Sequence, residues 1–174
     1  SMQAITNWHG SGWNISHNEI DGLWALCGGG IGILVGSRMS DKPANDNLVA
    51  HNKISADVSP DCGFYTTGGI LFVSDARYGA TGGPVENNSV IHNTIVVTGW
   101  WGDDEAGVGF EIDDWPLANQ QPATVKDNVI GFNDFRGSTI EMYFYPEAAE
   151  ENNTVSRNLG ENRGHGLTPA SIFN

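Results

Sequence analysis

One short pattern of apolar and polar positions returns along the chain. It consists of an aliphatic residue, two further positions, an asparagine, one position and a second aliphatic residue. Copies occur in "NISHNEI" (14–20), "NLVAHNKI" (47–54), "NSVIHNTI" (88–95), "ATVKDNVI" (123–130) and "NTVSRNL" (153–159). In this alignment the repeated asparagines are Asn18, Asn52, Asn93, Asn128 and Asn158. Repeats spaced by a few tens of residues are typical of solenoids, propellers and other repeat arrays.

A second pattern lies between the copies of the first. It is found in "GIGILVG" (30–36), "GGILFVS" (68–74), "GVGFEID" (107–113) and "STIEMYF" (138–144). Alternation along a strand would point Ile33 and Val35 to one side and Leu34 to the other, as a half-buried strand requires. Each repeat therefore holds two short strands joined by turns and one loop of variable length. Apolar spacing of three and four residues, which helical repeats require, is not found.

Strand, turn, strand and loop in this order favour a parallel β-solenoid whose neighbouring coils are about 4.8 Å apart. The recurring asparagine would turn the chain, and its amide could bond to the asparagines of the coils above and below. We expect one domain over residues 1–174, with repeats over about 13–160 and terminal caps at 1–12 and 160–174. End coils expose strand edges, so oligomers could form through them if the caps fail to cover these edges.

The phrases "NISHNEIDG", "NLVAHNKI" and "NSVIHNTI", each with a "GI" or "GF" strand after it, resemble the repeats of the pectate-lyase-like superfamily. The resemblance covers about residues 13–160. It implies an all-β fold, a right-handed single-stranded parallel β-helix of about five short coils. It also implies a choice of functions, because that superfamily holds polysaccharide lyases, glycoside hydrolases, epimerases, phage tailspikes and binding or structural modules.

The charge balance narrows the choice of partners. Eight Lys and Arg stand against 21 Asp and Glu, which gives a formal net charge of −13. Nucleic acid and anionic membrane surfaces are therefore not expected as partners, because both need clustered cations. A polysaccharide or oligosaccharide is the expected partner, and an acidic one requires a bound cation or a local basic patch. Such a ligand would place the protein in an extracellular or periplasmic setting.

Acidic residues gather in the third and fourth repeats. Aligning the second pattern puts Leu34, Leu71, Glu111 and Glu141 in one stack, with Asp113 one step further on the same face. Two adjacent carboxylates could act as catalytic acid and base, as in glycoside hydrolases. They could instead bind Ca²⁺, for which Asp103, Asp104 and Glu105 are weaker candidate ligands. A solvated acidic face with no chemistry is the alternative.

Aromatic residues lie close to these acids in the sequence. Sugar rings stack on aromatic faces while nearby polar groups bond to their hydroxyls. Some of these rings could simply cover a loop. The candidate substrate-binding residues are Trp100, Trp101, Trp115, Tyr143, Tyr145 and Arg77.

The residues before the repeated asparagines form another predicted stack, which consists of His17, His51, His92, Asp127 and Arg157. Such a stack could bind Zn²⁺, but an in-line ladder does not converge tetrahedrally, and polar residues at a solvent-facing corner are the favoured explanation. Cys27 and Cys62 fall at similar places in neighbouring repeats, where either a disulfide or two thiols would fit.

These observations lead to two hypotheses. The first is an extracellular carbohydrate-active β-helix, lyase-like or hydrolase-like, that uses Glu111, Asp113 and Glu141 with Ca²⁺ as a candidate cofactor. The alternative is a carbohydrate-binding, adhesion or structural module without catalysis, which could be a piece of a larger protein. A five-coil helix offers little depth for a substrate cleft, and this favours the second hypothesis.

Overall fold

The computed structural model of the protein describes residues 3–23, 30–57, 67–101, 105–115, 125–144 and 152–160. Within these ranges only the backbone is described for Thr67, Trp100, Trp101, Glu105, Ala106, Asp114 and Trp115. The described ranges contain sixteen strands and no helix, and hence no helix that could cross a membrane. The strands are β1 (Gln3–Trp8), β2 (Asn14–Ser16), β3 (Glu19–Leu23), β4 (Ile31–Ser37), β5 (Leu48–Ala50), β6 (Lys53–Asp57), β7 (Thr67–Asp75), β8 (Val85–Glu86), β9 (Ser89–Ile91), β10 (Thr94–Thr98), β11 (Trp100–Trp101), β12 (Glu105–Trp115), β13 (Val125–Lys126), β14 (Val129–Gly131), β15 (Ile140–Phe144) and β16 (Thr154–Ser156).

The strands form three main sheets of parallel pairs. Sheet A contains β1, β4, β7, β12 and β15 in that order, and the short β11 lies antiparallel to β12. Sheet B contains β2, β5, β9, β14 and β16, and sheet C contains β3, β6 and β10. The pair β8 and β13 forms a small fourth sheet. The chain visits sheets A, B and C in this order three times and then returns twice to sheets A and B, and we call each of these five circuits a pass. The prediction of an all-β protein with parallel strands is confirmed.

The core lies between the three sheets and is built from columns of aliphatic side chains, one residue from each pass. In sheet B the column is Ile15, Val49, Val90, Ile130 and Val155. Sheet A contributes a second column that ends in Phe110 and Met142. These columns are the apolar positions of the two sequence patterns, which explains why the patterns recur.

Two corners flank the short strands of sheet B, and at both the backbone adopts positive φ. The first corner precedes the strand and consists of Asp46, Asn87, Asp127 and Asn152, with φ between 56° and 60°. The second corner follows the strand and consists of His17, His51, His92, Phe132 and Arg157, with φ between 55° and 59°. This left-handed conformation turns the chain sharply at one residue, which permits three-residue strands between corners.

An asparagine ladder runs along the inside of each corner. The first ladder is Asn47, Asn88, Asn128 and Asn153, and the second is Asn18, Asn52, Asn93, Asn133 and Asn158. Each side-chain amide donates to the asparagine oxygen of the next pass, and the distances in the second ladder are all 2.9 Å. The expected amide ladder is therefore present at both corners.

One assignment within that ladder was wrong. The sequence alignment placed Asn128 with Asn93, but Asn93 bonds to Asn133, and Asn128 belongs to the first corner with Asn88. The error has a physical cause. Both corners present an asparagine close to aliphatic residues, so the fourth repeat contains two local matches, and only the contacts between passes distinguish them.

Glycine is required where sheet A approaches sheet C. A β-carbon added to Gly69 would lie 2.3 Å from Ile95 Cγ2 and 2.5 Å from the carbonyl oxygen of Gly109. Gly32 and Gly109 occupy equivalent positions in the adjacent passes, with similar contacts. This explains the glycines of the second pattern, and it determines which outward residues align across the sheet.

Candidate functional site

The outer face of sheet A changes character from one end to the other. Leu34, Leu71 and Val73 are at most 2% exposed and form an apolar cluster with Trp8 packed against it. The next strand, β12, continues the same columns with acids, because Glu111 pairs in register with Leu71 and Asp113 pairs with Val73. This face is therefore not a simple hydrated surface.

Glu111 and Asp113 lie two residues apart on one strand, and each is 8% exposed. Burying a carboxylate costs free energy unless other groups interact with it. Successive outward residues on a strand are about 6.6 Å apart along the backbone. The two candidate catalytic acids thus share one face of sheet A, as the sequence predicted.

Glu141 does not join them, and the predicted adjacency of Glu111 and Glu141 is wrong. The strand partner of Glu111 in β15 is Tyr143, and Glu141 precedes that position by two residues. The carboxylate of Glu141 instead accepts a hydrogen bond of 3.4 Å from the Gly137 amide and lies close to Gly160. The sequence alignment matched "FE" with "IE", whereas the packing of sheet A aligns Phe110 with Met142.

The other predicted aromatics do not form one cluster in the described backbone. Trp100 and Trp101 lie in β11 beside the start of β12, where Trp101 pairs with Glu105. Trp115 is the last residue of β12 and Glu105 is the first. At about 3.3 Å per residue the two ends of this strand are roughly 33 Å apart. The remaining predicted site residues Asp103, Asp104 and Tyr145, together with Cys27 and Cys62, lie outside the described residues.

A cluster that the sequence analysis largely missed lies where the strands of sheet A end. We call it the arginine ledge; it consists of Trp8, His9, Arg38, Asp75, Arg77 and Tyr78. Ser37 and Ser74 are paired in register, so Arg38 and Asp75 directly follow equivalent positions in neighbouring strands. Only Arg77 had been predicted as a ligand-binding residue.

The buried carboxylate of Asp75 organises the ledge. It accepts hydrogen bonds from Arg77 Nε at 3.0 Å and from the Arg77 backbone amide at 2.9 Å, and Arg38 Nε lies 3.4 Å from its second oxygen. Arg38 also donates to the carbonyl oxygen of Arg77 at 3.3 Å. Two guanidinium groups on one carboxylate leave a net positive charge on a chain that is otherwise strongly acidic.

Aromatic rings border the two guanidinium groups. Arg38 lies over the Trp8 ring at 5.8 Å and Arg77 over the Tyr78 ring at 5.5 Å. Tyr78 is 85% exposed, which is high for a tyrosine, a residue of intermediate burial in most proteins. The backbone amide of Arg38 donates to His9 Nε2 at 3.0 Å. Burial, with Lys42 and Arg38 nearby, lowers the pKa of His9 although Asp41 opposes the shift.

The signal for this ledge was present in the sequence. In "ILVGSR" and "ILFVSDAR" an arginine follows a buried strand at nearly the same offset. Arg38 and Arg77 thus belong to successive repeats, and comparing strand ends rather than strand interiors would have brought them together.

The second corner carries side chains that stack on one another. Ring centroids are 5.0 Å apart for His17 and His51, 5.2 Å for His51 and His92, and 5.2 Å for His92 and Phe132. Arg157 follows, 5.2 Å from the Phe132 ring. We call these five residues the histidine strip. Phe132 stands where the sequence analysis had placed Asp127, because Asp127 lies at the first corner.

The geometry of the strip does not support the Zn²⁺ hypothesis. The rings of His51 and His92 are within 4° of parallel, so their nitrogen lone pairs lie in separate planes and cannot converge on one tetrahedral ion. More generally, no group of three or more His, Cys, Asp or Glu able to hold a metal occurs in the described part of the chain.

Comparison with known proteins adds no family assignment. No protein-family model, curated protein or solved structure matches this sequence.

Proposed function

We propose that the passes of this chain are the coils of a right-handed parallel β-helix of the pectate-lyase-like type. Two features support this proposal. The chain returns to each sheet in the same order, and the equivalent residues of successive passes pair in parallel. On this view the outer face of sheet A runs along one flank of the helix, where an extended polymer could lie.

We further propose that the protein is an extracellular or periplasmic carbohydrate-binding module whose contact site is the arginine ledge. The observation that carries the proposal is the pair Arg38 and Arg77 on buried Asp75, bordered by Trp8 and exposed Tyr78. Guanidinium groups held by a carboxylate keep a fixed orientation, and the planar guanidinium suits hydrogen bonding to carboxylates and sugar hydroxyls. An exposed aromatic ring beside them adds apolar contact with a sugar ring.

The ledge also satisfies the charge requirement for an acidic saccharide. Repulsion from a protein of net charge −13 must be offset locally before an anion can bind. Three of the eight Lys and Arg residues, namely Arg38, Lys42 and Arg77, lie within or beside the ledge. The ligand class is therefore a polysaccharide or oligosaccharide, with an acidic sugar at the ledge.

A polysaccharide lyase or glycoside hydrolase is the second candidate. The buried pair Glu111 and Asp113 favours it, because retained buried carboxylates often serve catalysis or Ca²⁺ binding. Their backbone spacing of about 6.6 Å is comparable with the carboxyl separation of inverting glycosidases, about 6.5–9.5 Å. Because Glu111 pairs with Tyr143, Glu111 and Glu141 do not form the close carboxylate pair of a retaining enzyme.

A polysaccharide panel assayed with Ca²⁺ and with EDTA separates the two candidates. Retention of the protein on an acidic polymer without product would support the binding module. Arg77→Gln and Tyr78→Ala should each weaken retention about tenfold or more, the loss of one charge-assisted bond or one aromatic contact.

Arg136→Gln is the matched control. Arg136 bonds to Asp134, two residues before it, in the same way that Arg77 bonds to Asp75. Arg136 is far from the ledge in the sequence. Equal retention of Arg77→Gln, Tyr78→Ala and the parent protein would reject the ledge as the site. Product release that needs Ca²⁺ and is lost in Glu111→Gln would replace the binding module with the enzyme.

A further inference from the structure

The histidine strip presents the edges of its rings rather than their faces. His51 and His92 each have a ring stacked on both sides, at 5.0–5.2 Å between centroids. His17, His51 and His92 are all exposed to solvent. The groups that a ligand can reach are therefore the ring edges with their nitrogens, repeated about every 5 Å along the stacked passes.

Two ion pairs lie beside the strip, and the further acids on the sheet C side are Asp21 and Asp57, of which Asp57 accepts a hydrogen bond from Thr98. On the sheet C side, Glu19 is paired with Lys53 and Asp134 with Arg136, both at 2.8 Å. The hydrogen bond from Arg136 lowers the pKa of Asp134, which keeps that pair ionised in mild acid. Asp21, the next acid on that sheet, accepts a hydrogen bond from Ser55.

The sheet B side of the strip is uncharged. Its adjacent positions in the five passes are Ser16, Ala50, Ile91, Gly131 and Ser156. The nearest acids across this sheet are Asp46 and Asp127 at the first corner, five residues from the second corner along the chain. At about 3.3 Å per residue this separation exceeds a Debye length of about 8 Å in physiological salt.

We propose that the histidine strip is a binding site for a linear anionic polysaccharide and that protonation of its three imidazoles makes the site competent. Imidazole is the side chain that ordinarily changes charge between pH 5 and 8. Protonated rings at His17, His51 and His92 would form one row with Arg157 along the stack. A polymer with an anionic group on successive sugars could then accept an N–H bond from each pass.

The covered ring faces favour a polysaccharide over single-stranded nucleic acid. Proteins that bind single strands stack bases on exposed aromatic faces. In the strip each interior ring face is already covered by a neighbour, so ring-edge donors remain. This site is separate from the arginine ledge, which carries its charge at all pH values on Arg38 and Arg77.

The test uses dextran sulfate, whose sulfate esters stay ionised throughout, so that any pH dependence arises from the protein. Binding to the full chain is measured by isothermal titration at pH 7.5 and 5.5, with uncharged dextran alongside. We expect the affinity for dextran sulfate to rise at least about tenfold at pH 5.5, with weakening in higher salt and net proton uptake on binding.

The decisive variant replaces all three histidines by asparagine, as His17→Asn, His51→Asn and His92→Asn. Asparagine already occupies positive φ at Asn87 and Asn152, so the corner geometry is preserved, and circular dichroism checks the fold. The matched control is Asp46→Asn with Asp127→Asn, which makes the net charge less negative but leaves every imidazole.

The proposal predicts that the triple variant loses the pH-dependent gain and the proton uptake while the control keeps both. An equal gain in the triple variant would overturn it, because general loss of negative charge would then explain the binding. Equal affinity for oligothymidylate would overturn the assignment to polysaccharide. Loss of ledge binding in Arg77→Gln at pH 7.5 bears only on the proposed function, so the two proposals fail separately.

Discussion

The two corners of sheet B share a backbone conformation and differ in the side chains they display. The first corner has φ of 56–60° in four passes and the second has φ of 55–59° in five, and both place an asparagine ladder directly behind the turn. The first corner uses Asp and Asn, which tolerate positive φ because their short polar side chains can bond locally. The second uses His, Phe and Arg.

The difference separates what the fold requires from what it leaves open. The inward asparagine is the same at both corners because its amide bonds to the backbone and to the next asparagine. The outward residue is under no such demand, yet the second corner uses Phe132, a bulky residue that is uncommon at positive φ. Stacking between passes offsets that cost, and it creates a continuous exposed strip.

The largest effect is expected when an inward asparagine is removed from either corner. Asn88→Ala and Asn93→Ala should each lower the free energy of unfolding by about 3 kcal/mol, because several buried backbone and amide groups lose their partners. Urea denaturation monitored by circular dichroism measures this loss. Asn158→Ala, in the last described pass and only half-buried, should cost less. A large difference between Asn88→Ala and Asn93→Ala would show that the two corners are not equivalent inside.

An intermediate effect is expected from valine at the outward positions. Asp127→Val and His92→Val both place a β-branched residue at φ 56°, which costs about 1–2 kcal/mol. His92→Val should cost about 0.5–1.5 kcal/mol more, since it also removes stacking with His51 and Phe132. Thermal unfolding of the two variants gives the difference directly. Equal losses would mean that stacking in the strip contributes nothing to stability.

The smallest effect concerns His9, a histidine at positive φ (64°) away from both corners. Its lowered pKa means that the folded state favours the neutral ring. The stability linked to this group is fully present above the ordinary imidazole value of about 6.5 and is lost as the pH falls below it.

His9→Asn should therefore make the free energy of unfolding less sensitive to acid between about pH 7 and 5, and this effect should be smaller than those of the corner variants. Urea midpoints across this range provide the measurement. A decrease in the urea midpoint that is equal at all pH values would reflect the lost hydrogen bond from the Arg38 amide. If the midpoint depended on pH as it does in the parent protein, the prediction would be contradicted.

Much of the fold could be predicted because local patterns mark it. The aliphatic columns, such as Val49 and Val90, and the amide ladder at Asn52 and Asn93 lie where the repeats indicated. The site was predicted less well. Glu111 and Asp113 share one face of sheet A as expected, but Arg38 and Tyr78 were overlooked, because the alignment compared strand interiors and not the residues that follow the strands.

The amino-acid sequence by itself determined the periodicity, the parallel all-β character and the chemistry of each corner. The reason is that strand alternation and turn preferences depend on residues that are close in the sequence. Only tertiary structure decided which residues meet between passes: Asn133 rather than Asn128 beneath Asn93, and Tyr143 rather than Glu141 beside Glu111. The physical reason is the variable loop in each repeat. A change in loop length leaves the local pattern intact, whereas alignment between passes is set by hydrogen bonds and packing between residues about 40 positions apart.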